Sequence, residues 1–214
     1  MQKAKVGKRI GAFFIDGLIL GLVVSLITTL FEDPAYLKAI ADLDALLQSG
    51  AIDFIEYSTR LENIVDPNLG IKVLVELLLT VVYFIIIPIF WKEQTLARKW
   101  MKIKVVKEDF SPAKPVNFIL REGLGQAIFA SVFTVLASFT YADILIKLDS
   151  IVTTIVGFVL LIGFFTMCGS KKTTLYDRFS KTLMVSAEDT LKADELDITD
   201  KKENTISNDD IIDL

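Results

Sequence analysis

The chain contains no histidine and only one cysteine, Cys168, among its 214 residues. The lack of histidine removes the commonest metal ligand and the commonest general base near neutral pH. A single cysteine excludes an intrachain disulfide. The sequence also lacks a glycine-rich nucleotide motif, a cluster of metal-ligating residues and a nucleophile–base set. These absences argue against an enzyme, and we expect neither a cofactor nor a bound metal.

Apolar residues, in contrast, are abundant. They make up 52% of the sequence, and the mean hydropathy is +0.51, which is high for a soluble domain and normal for a polytopic membrane protein. Four apolar stretches predict membrane spans over residues 10–31, 71–91, 123–140 and 150–168. The first is too long for a signal-peptide core and lacks a cleavage motif, so we expect it to be an uncleaved span.

Charge is segregated between the connecting segments. Residues 1–9 carry four basic groups and no acidic one, residues 92–122 carry eight basic and four acidic groups, and residues 171–185 carry four basic groups and one acidic group. The positive-inside rule places these three segments in the cytoplasm, which an even number of spans allows. The acidic loop 32–70 and the short loop 141–149 then lie outside. We therefore predict an all-α protein with four transmembrane helices and both termini in the cytoplasm.

The loops carry their own secondary-structure signals. Asp33-Pro34 begins a helix and a second helix is predicted over 51–64, so the outer loop 32–70 forms an amphipathic helical hairpin. Residues 101–106 alternate and contain β-branched side chains, which predicts a short strand whose partner is 182–185.

The chain divides into two parts by composition. Residues 1–185 form the transmembrane domain, and the tail 186–214 carries ten acidic and three basic groups. The tail has no apolar stripe of helical spacing, and we predict that it is disordered.

Asp16 is the only charged residue from Ile10 to Phe31. A carboxylate within a spanning helix costs about 2.5–3.5 kcal/mol on insertion scales, so it is expected to face protein or a water-filled cavity. One hypothesis is that Asp16 binds a cation or a proton. The alternative is a structural carboxylate bonded to Arg121, to a lysine or to the amides at a helix end.

Glu76 is a second carboxylate within a predicted span. If both spans are centred in the bilayer, Glu76 and Asp16 lie about 14 Å apart along the membrane normal and could be two stations on one path. The alternative is an ion pair between Glu76 and Lys72, one helical turn earlier, at the outer edge of the membrane.

Three segments in a fixed order resemble the RDD family of small prokaryotic integral membrane proteins. They are Lys8-Arg9-Ile10-Gly11-Ala12-Phe13-Phe14-Ile15-Asp16, residues 94–106 (QTLARKWMKIKVV) and residues 173–185 (TTLYDRFSKTLMV), with Arg121 between the last two. The resemblance covers residues 5–185. It implies that the namesake arginine and two aspartates of the family are Arg9, Asp16 and Asp177. The family usually has a glycine where Ala97 stands here.

The resemblance and the residues together suggest roles for the remaining charges. Asp177 either caps a short helix formed by residues 178–181 or pairs with Arg98, Lys99 or Arg121. Arg9 and Arg121 are either anchors at the membrane interface or partners that hold an aspartate.

Two functional hypotheses follow from the sequence. In the first, the protein transports a cation, a proton or another small solute through Asp16 and Glu76, while Arg9, Arg121 and Asp177 gate or brace the inner mouth. In the second, it is a membrane adaptor that does not transport and recruits a partner through its outer hairpin or its acidic tail.

The remaining expectations concern partners and location. The basic stretch 98–107 lies beside a span, so we expect it to contact anionic lipid headgroups of the bilayer and not nucleic acid. Four short helices make a small transporter, which favours a homo-oligomer. The resemblance implies a multi-pass protein of a prokaryotic plasma membrane.

Overall fold

The computed structural model describes residues 2–140, 142–169 and 173–188. This part of the chain is mostly helical and includes one small antiparallel sheet of two strands. The acidic tail predicted to be disordered lies, beyond residue 188, outside the described residues.

The elements follow one another as a series of helices with two short strands inserted near the charged motifs. In chain order they are α1 (Val6–Thr28, continued by a 3-10 turn Thr29–Phe31), α2 (Pro34–Gln48), α3 (Phe54–Glu62), α4 (Leu69–Val81, continued by a π turn Val82–Ile86), α5 (Ile87–Phe90), α6 (Leu96–Trp100), β1 (Ile103–Lys107), α7 (Pro115–Gly125), α8 (Ile128–Thr140), α9 (Asp143–Cys168), α10 (Leu175–Phe179) and β2 (Thr182–Ser186).

In the part of the chain that the structure describes, three helical stretches are long and apolar enough to cross a membrane: Val6–Phe31, Leu69–Phe90 and Ile144–Met167. A fourth crossing exists if α7 and α8 form one broken span. The structure thus supports three to four candidate spans, and the prediction of which segments face the cytoplasm remains a prediction.

The third predicted span, 123–140, differs most from the structure. It is not one helix, because α7 and α8 meet at a bend of 65°. Ala127, between them, adopts a left-handed φ of 55°, which cannot continue a right-handed helix. The fourth span also differs, because α9 begins at Asp143 and not near residue 150.

The second span contains a local irregularity at its C-terminal end. A π turn over Val82–Ile86 precedes Pro88, which has no N–H to donate to the preceding turn. Such a widened turn is one way in which a spanning helix accommodates proline. The chain therefore continues to Phe90 before it leaves the span.

The described residues form two compact units. The first unit comprises the described parts of residues 1–17, 84–122 and 161–214, and the second comprises residues 18–83 with the described part of 123–160. In the first unit, β1 and β2 pair in antiparallel register, with Ile103 opposite Ser186 and Lys107 opposite Thr182. This confirms the predicted strand pair. The N-terminus extends the sheet, because Ala4 N–H donates to the Met184 carbonyl at 2.9 Å.

The second unit contains the hairpin predicted for the outer loop. Both hairpin helices begin with an aspartate that accepts a hydrogen bond from a backbone N–H three residues later, Asp33 for α2 and Asp53 for α3. The Tyr57 hydroxyl joins the two helices by donating to Asp44 at 2.8 Å. In the same unit, α4 packs on α8.

Candidate functional site: a buried charge cluster

Asp16 lies on α1 and is only 1% exposed. Its Oδ2 accepts a hydrogen bond from the Thr95 hydroxyl at 2.7 Å, and its Oδ1 accepts one from the Ala97 N–H at 3.2 Å. Both donors belong to the first turn of α6, whose Thr95 N-cap also accepts from Arg98 N–H. The carboxylate of Asp16 therefore meets the N-terminal end of a short helix, where a negative charge is favoured.

Ala97 stands at the position where the resemblance described above implies a glycine. Its backbone is helical, and its N–H, not its side chain, contacts Asp16. The residue is fully buried. The position therefore does not require a left-handed conformation, and alanine fills it without loss of the contact.

Two arginines converge on Asp177 within the same unit. Asp177 is completely buried; its Oδ2 accepts from Arg9 Nη2 at 2.5 Å and its Oδ1 accepts from Arg121 Nε at 3.0 Å. Thr174 and Asp177 also form a reciprocal capping box at the beginning of α10. Asp177 thus pairs with Arg121, as one alternative predicted, and also with Arg9. The short helix is Leu175–Phe179 and not 178–181, and its N-cap is Thr174, with Asp177 at the third helical position.

Glu122 extends the cluster toward α6. Its Oε1 pairs with Arg98 Nη2 at 2.8 Å and also contacts Arg121 Nη1. Both Glu122 and Arg98 are at most 3% exposed. A continuous chain of charges therefore links α1, α10, α7 and α6 in the order Arg9, Asp177, Arg121, Glu122 and Arg98.

Within this chain of five charges, three guanidinium groups face two carboxylates, so the positive charges outnumber the negative charges by one. Burial of an ion is costly unless its charge and hydrogen bonds are satisfied. The Arg121 guanidinium also stacks on the Tyr176 ring, 5.6 Å from its centroid, and Arg98 lies 6.0 Å from the Phe84 centroid. Arg98 Nη1 nevertheless has no hydrogen-bond partner within the described part of the chain.

The electrostatics of Asp177 follow from its two arginines. Burial alone would raise the pKa of its carboxyl group. The charges of Arg121 and Arg9, together with the hydrogen bonds from Thr174, outweigh burial and hold the pKa of Asp177 below its usual range. The carboxylate is therefore ionised at neutral pH and serves as a fixed counter-charge.

Glu76 is not part of this cluster. It lies on α4 in the second unit, where its side chain is exposed. Lys72, its alternative partner, instead pairs with Asp66 at 2.6 Å. Burial would raise the pKa of Asp66, but the hydrogen bonds from Lys72 and from the Asn68 backbone N–H together lower it.

Sequence reasoning named Arg9, Asp16, Arg121 and Asp177 but missed Glu122 and Thr95. Glu122 directly follows Arg121 next to an apolar stretch, and a carboxylate so close to a span is a signal of a buried partner that could have been used. Thr95 precedes an Arg98-containing turn and fits the pattern of an N-cap residue. Nothing in the linear sequence shows that its hydroxyl reaches Asp16.

The comparisons with known proteins agree with the motifs. The model of the RDD family matches residues 3–181. No curated protein and no solved structure matches the chain. The match includes the first two motifs, residues 173–181 of the third and all five residues of the charge chain, and its extent shows that this multi-pass membrane protein belongs to the RDD family.

Proposed function

We propose that the protein transports a proton or a small cation across its membrane, with Asp16 as the carboxylate that binds it. The observation that supports this most is the burial of Asp16 on a candidate spanning helix, with its two oxygens bonded to the first turn of α6. Carboxylates at such positions are commonly ion or proton sites.

In the proposed mechanism, the cation competes with α6 for the carboxylate. While no proton or cation is bound, the Thr95 hydroxyl and the Ala97 N–H donate hydrogen bonds to the Asp16 carboxylate. A proton or cation takes their place when α6 moves away. Residues with left-handed φ values flank α6: Lys92 and Glu93 precede it and Lys102 follows it. Because α6 carries Arg98, this movement would also break the Arg98–Glu122 ion pair.

The chain of charges serves as the brace of the site and not as the cation site itself. Asp177 already accepts from two arginines and a backbone N–H, and Glu122 contacts two arginines. Because guanidinium groups already occupy both of these carboxylates, we place the cation at Asp16 and not on the chain of charges. We assign Arg9, Arg121 and Asp177 the task of holding α1, α7 and α10 in register around Asp16.

The orientation proposed from the sequence accompanies this mechanism. Basic segments on the cytoplasmic side of a prokaryotic plasma membrane would place the charge chain at the inner mouth. Lys99 lies 5.6 Å from the ring centroid of the exposed Trp91, a pairing suited to a membrane surface with anionic headgroups. We propose lipid and not nucleic acid as the partner of this surface, and no enzymatic activity.

The test uses purified protein in liposomes with an internal pH-sensitive dye and an imposed cation gradient. We expect cation-dependent proton flux for the wild type and at least a tenfold loss for Asp16→Asn, which keeps the side-chain shape. Asp149→Asn is the matched control, since Asp149 also lies on a spanning helix and bonds to Thr134 at 2.8 Å. Equal flux from Asp16→Asn and the wild type, or no flux above protein-free liposomes, would contradict the proposal.

The adaptor function is a second candidate because of one feature of the hairpin. Phe54 and Ile55 at the beginning of α3 are 71% and 75% exposed and belong to no candidate span. If this function is correct, Phe54→Ser with Ile55→Ser, or truncation after residue 188, abolishes the cellular phenotype. Asp16→Asn would then leave that phenotype unchanged, which is the opposite of the transport expectation.

A further inference from the structure

Glu76 occupies an unusual place for a carboxylate. It lies seven residues into the candidate span Leu69–Phe90, about 10 Å from the beginning of that helix. Its side chain is exposed, and within residues 2–140, 142–169 and 173–188 it has no ion-pair or hydrogen-bond partner. A charge that faces lipid costs about 2.5–3.5 kcal/mol at the centre of a spanning helix and less toward its ends, so a partner of opposite charge would stabilise this exposed carboxylate.

Lys147 is a charged residue of opposite sign near the end of another candidate span. It lies on α9, three residues into the candidate span Ile144–Met167, and its side chain is exposed. Among the side chains that the structure describes, it also has no ion-pair partner. Among its described side chains, the second unit therefore presents one exposed acidic and one exposed basic group without an ion-pair partner on candidate spanning helices.

The two charges lie toward the same end of the second unit. Gly70, at the beginning of α4, packs on Phe139 at the end of α8, so α4 and α8 are antiparallel. Thr134 of α8 bonds to Asp149 near the beginning of α9. The beginnings of α4 and α9 are thus at one end, and Glu76 lies deeper than Lys147 by about 6 Å, close to one helical turn.

The face of α9 around Lys147 is suited to a second helix. Ser150, Thr154 and Gly157 follow Lys147 at helical spacing and are exposed, and a Cβ added at Gly157 would meet nothing within 4 Å. Small residues allow helices in a bilayer to approach closely. This row of small residues does not by itself identify a partner, but it lies on the same helix face as Lys147.

From these observations we infer that a second copy of this chain packs against α9, with Glu76 of each copy paired to Lys147 of the other. A two-fold axis along the membrane normal preserves depth, so charges at matched depths in one copy meet their complements in the next. The four-carbon stem of lysine spans the remaining turn of height. The inference is independent of the transport proposal, which needs only Asp16.

The test is a charge reversal measured as the dimer dissociation constant, by single-molecule photobleaching in liposomes at graded dilution. Glu76→Lys and Lys147→Glu should each weaken dimerisation at least tenfold, and the double exchange should restore it to within threefold of wild type. Glu62→Lys, an exposed position on α3 outside the spans, is the matched control and should leave the constant unchanged.

A cysteine experiment covers the case in which a reversed charge prevents insertion. In a Cys168→Ser background, the pair Glu76→Cys and Lys147→Cys in one chain should give oxidised dimers in native membranes, while either cysteine alone should give few. Monomers at all dilutions, single reversals without effect, or a double exchange that does not restore the dimer would overturn the inference.

Discussion

The substitution Asp177→Asn is the sharpest test of how much the buried charge cluster contributes to the stability of the fold. Asparagine keeps the shape and one acceptor oxygen but loses the negative charge that faces Arg9 and Arg121. Removing one partner of a buried ion pair leaves an uncompensated charge and costs about 3–5 kcal/mol. The equilibrium constant for unfolding should therefore rise by between about 10²- and 10⁴-fold.

The assay is equilibrium unfolding in mixed micelles with increasing sodium dodecyl sulfate, followed by tryptophan fluorescence. Glu188→Gln is the matched control because it makes the same chemical change in an exposed pair, Lys102–Glu188 at 2.8 Å. Exposed pairs contribute about 0–1 kcal/mol, so this variant should unfold close to the wild type. Equal losses from the two variants would refute the idea that the cluster is a buried counter-charge network.

The buried Asp177 carboxylate should also make the free energy of unfolding depend on pH. The pKa of Asp177 is lower in the folded protein than its ordinary value of about 3.9 in an unfolded chain. Its contribution is therefore fully present above about pH 5 and decreases as the pH falls through the folded pKa. Asp177→Asn should lose less stability between pH 6 and pH 3 than the wild type does, and parallel pH profiles would contradict the assignment.

Two further variants test the surroundings. Thr95→Val removes the hydroxyl that donates to Asp16 and that caps α6, so it should lower the free energy of unfolding by about 1–2 kcal/mol. It should also lower the KM of cation-driven flux at least threefold, because the cation no longer competes with that hydroxyl. An unchanged KM would refute the competition. Gly70→Val should lower the free energy of unfolding by about 1–3 kcal/mol, because a Cβ added at Gly70 lies 3.0 Å from the Phe139 ring. Gly17→Val is the control and should not destabilise, because a Cβ added at Gly17 meets no atom within 4 Å. Equal effects of the two variants would exclude close packing of α4 on α8.

Much of the fold could be predicted from the sequence because membrane helices leave a strong local signal. Apolar runs predicted the stretches that form α1, α4 and α9, and alternation with β-branched residues predicted β1 and β2. The break before α8 could not be predicted in the same way. Ala127 adopts a left-handed φ although alanine is a strong helix former, so packing and not local preference decides that bend.

The candidate site was less accessible to sequence reasoning. The motifs named Arg9, Asp16 and Asp177, and the structure brings Arg9 and Asp177 together across 168 positions of sequence. Only the folded chain shows that the Thr95 hydroxyl and the Ala97 N–H at the beginning of α6 contact Asp16. Long-range pairings of this kind depend on how helices pack, which periodicity does not encode.

The most direct measurement of the central claim is proton flux through the purified protein in sealed liposomes, compared between the wild type and Asp16→Asn at equal protein density. The account predicts a cation-dependent flux that the variant loses by at least tenfold while it remains folded and inserted. A folded Asp16→Asn protein that carries the wild-type flux would contradict the account.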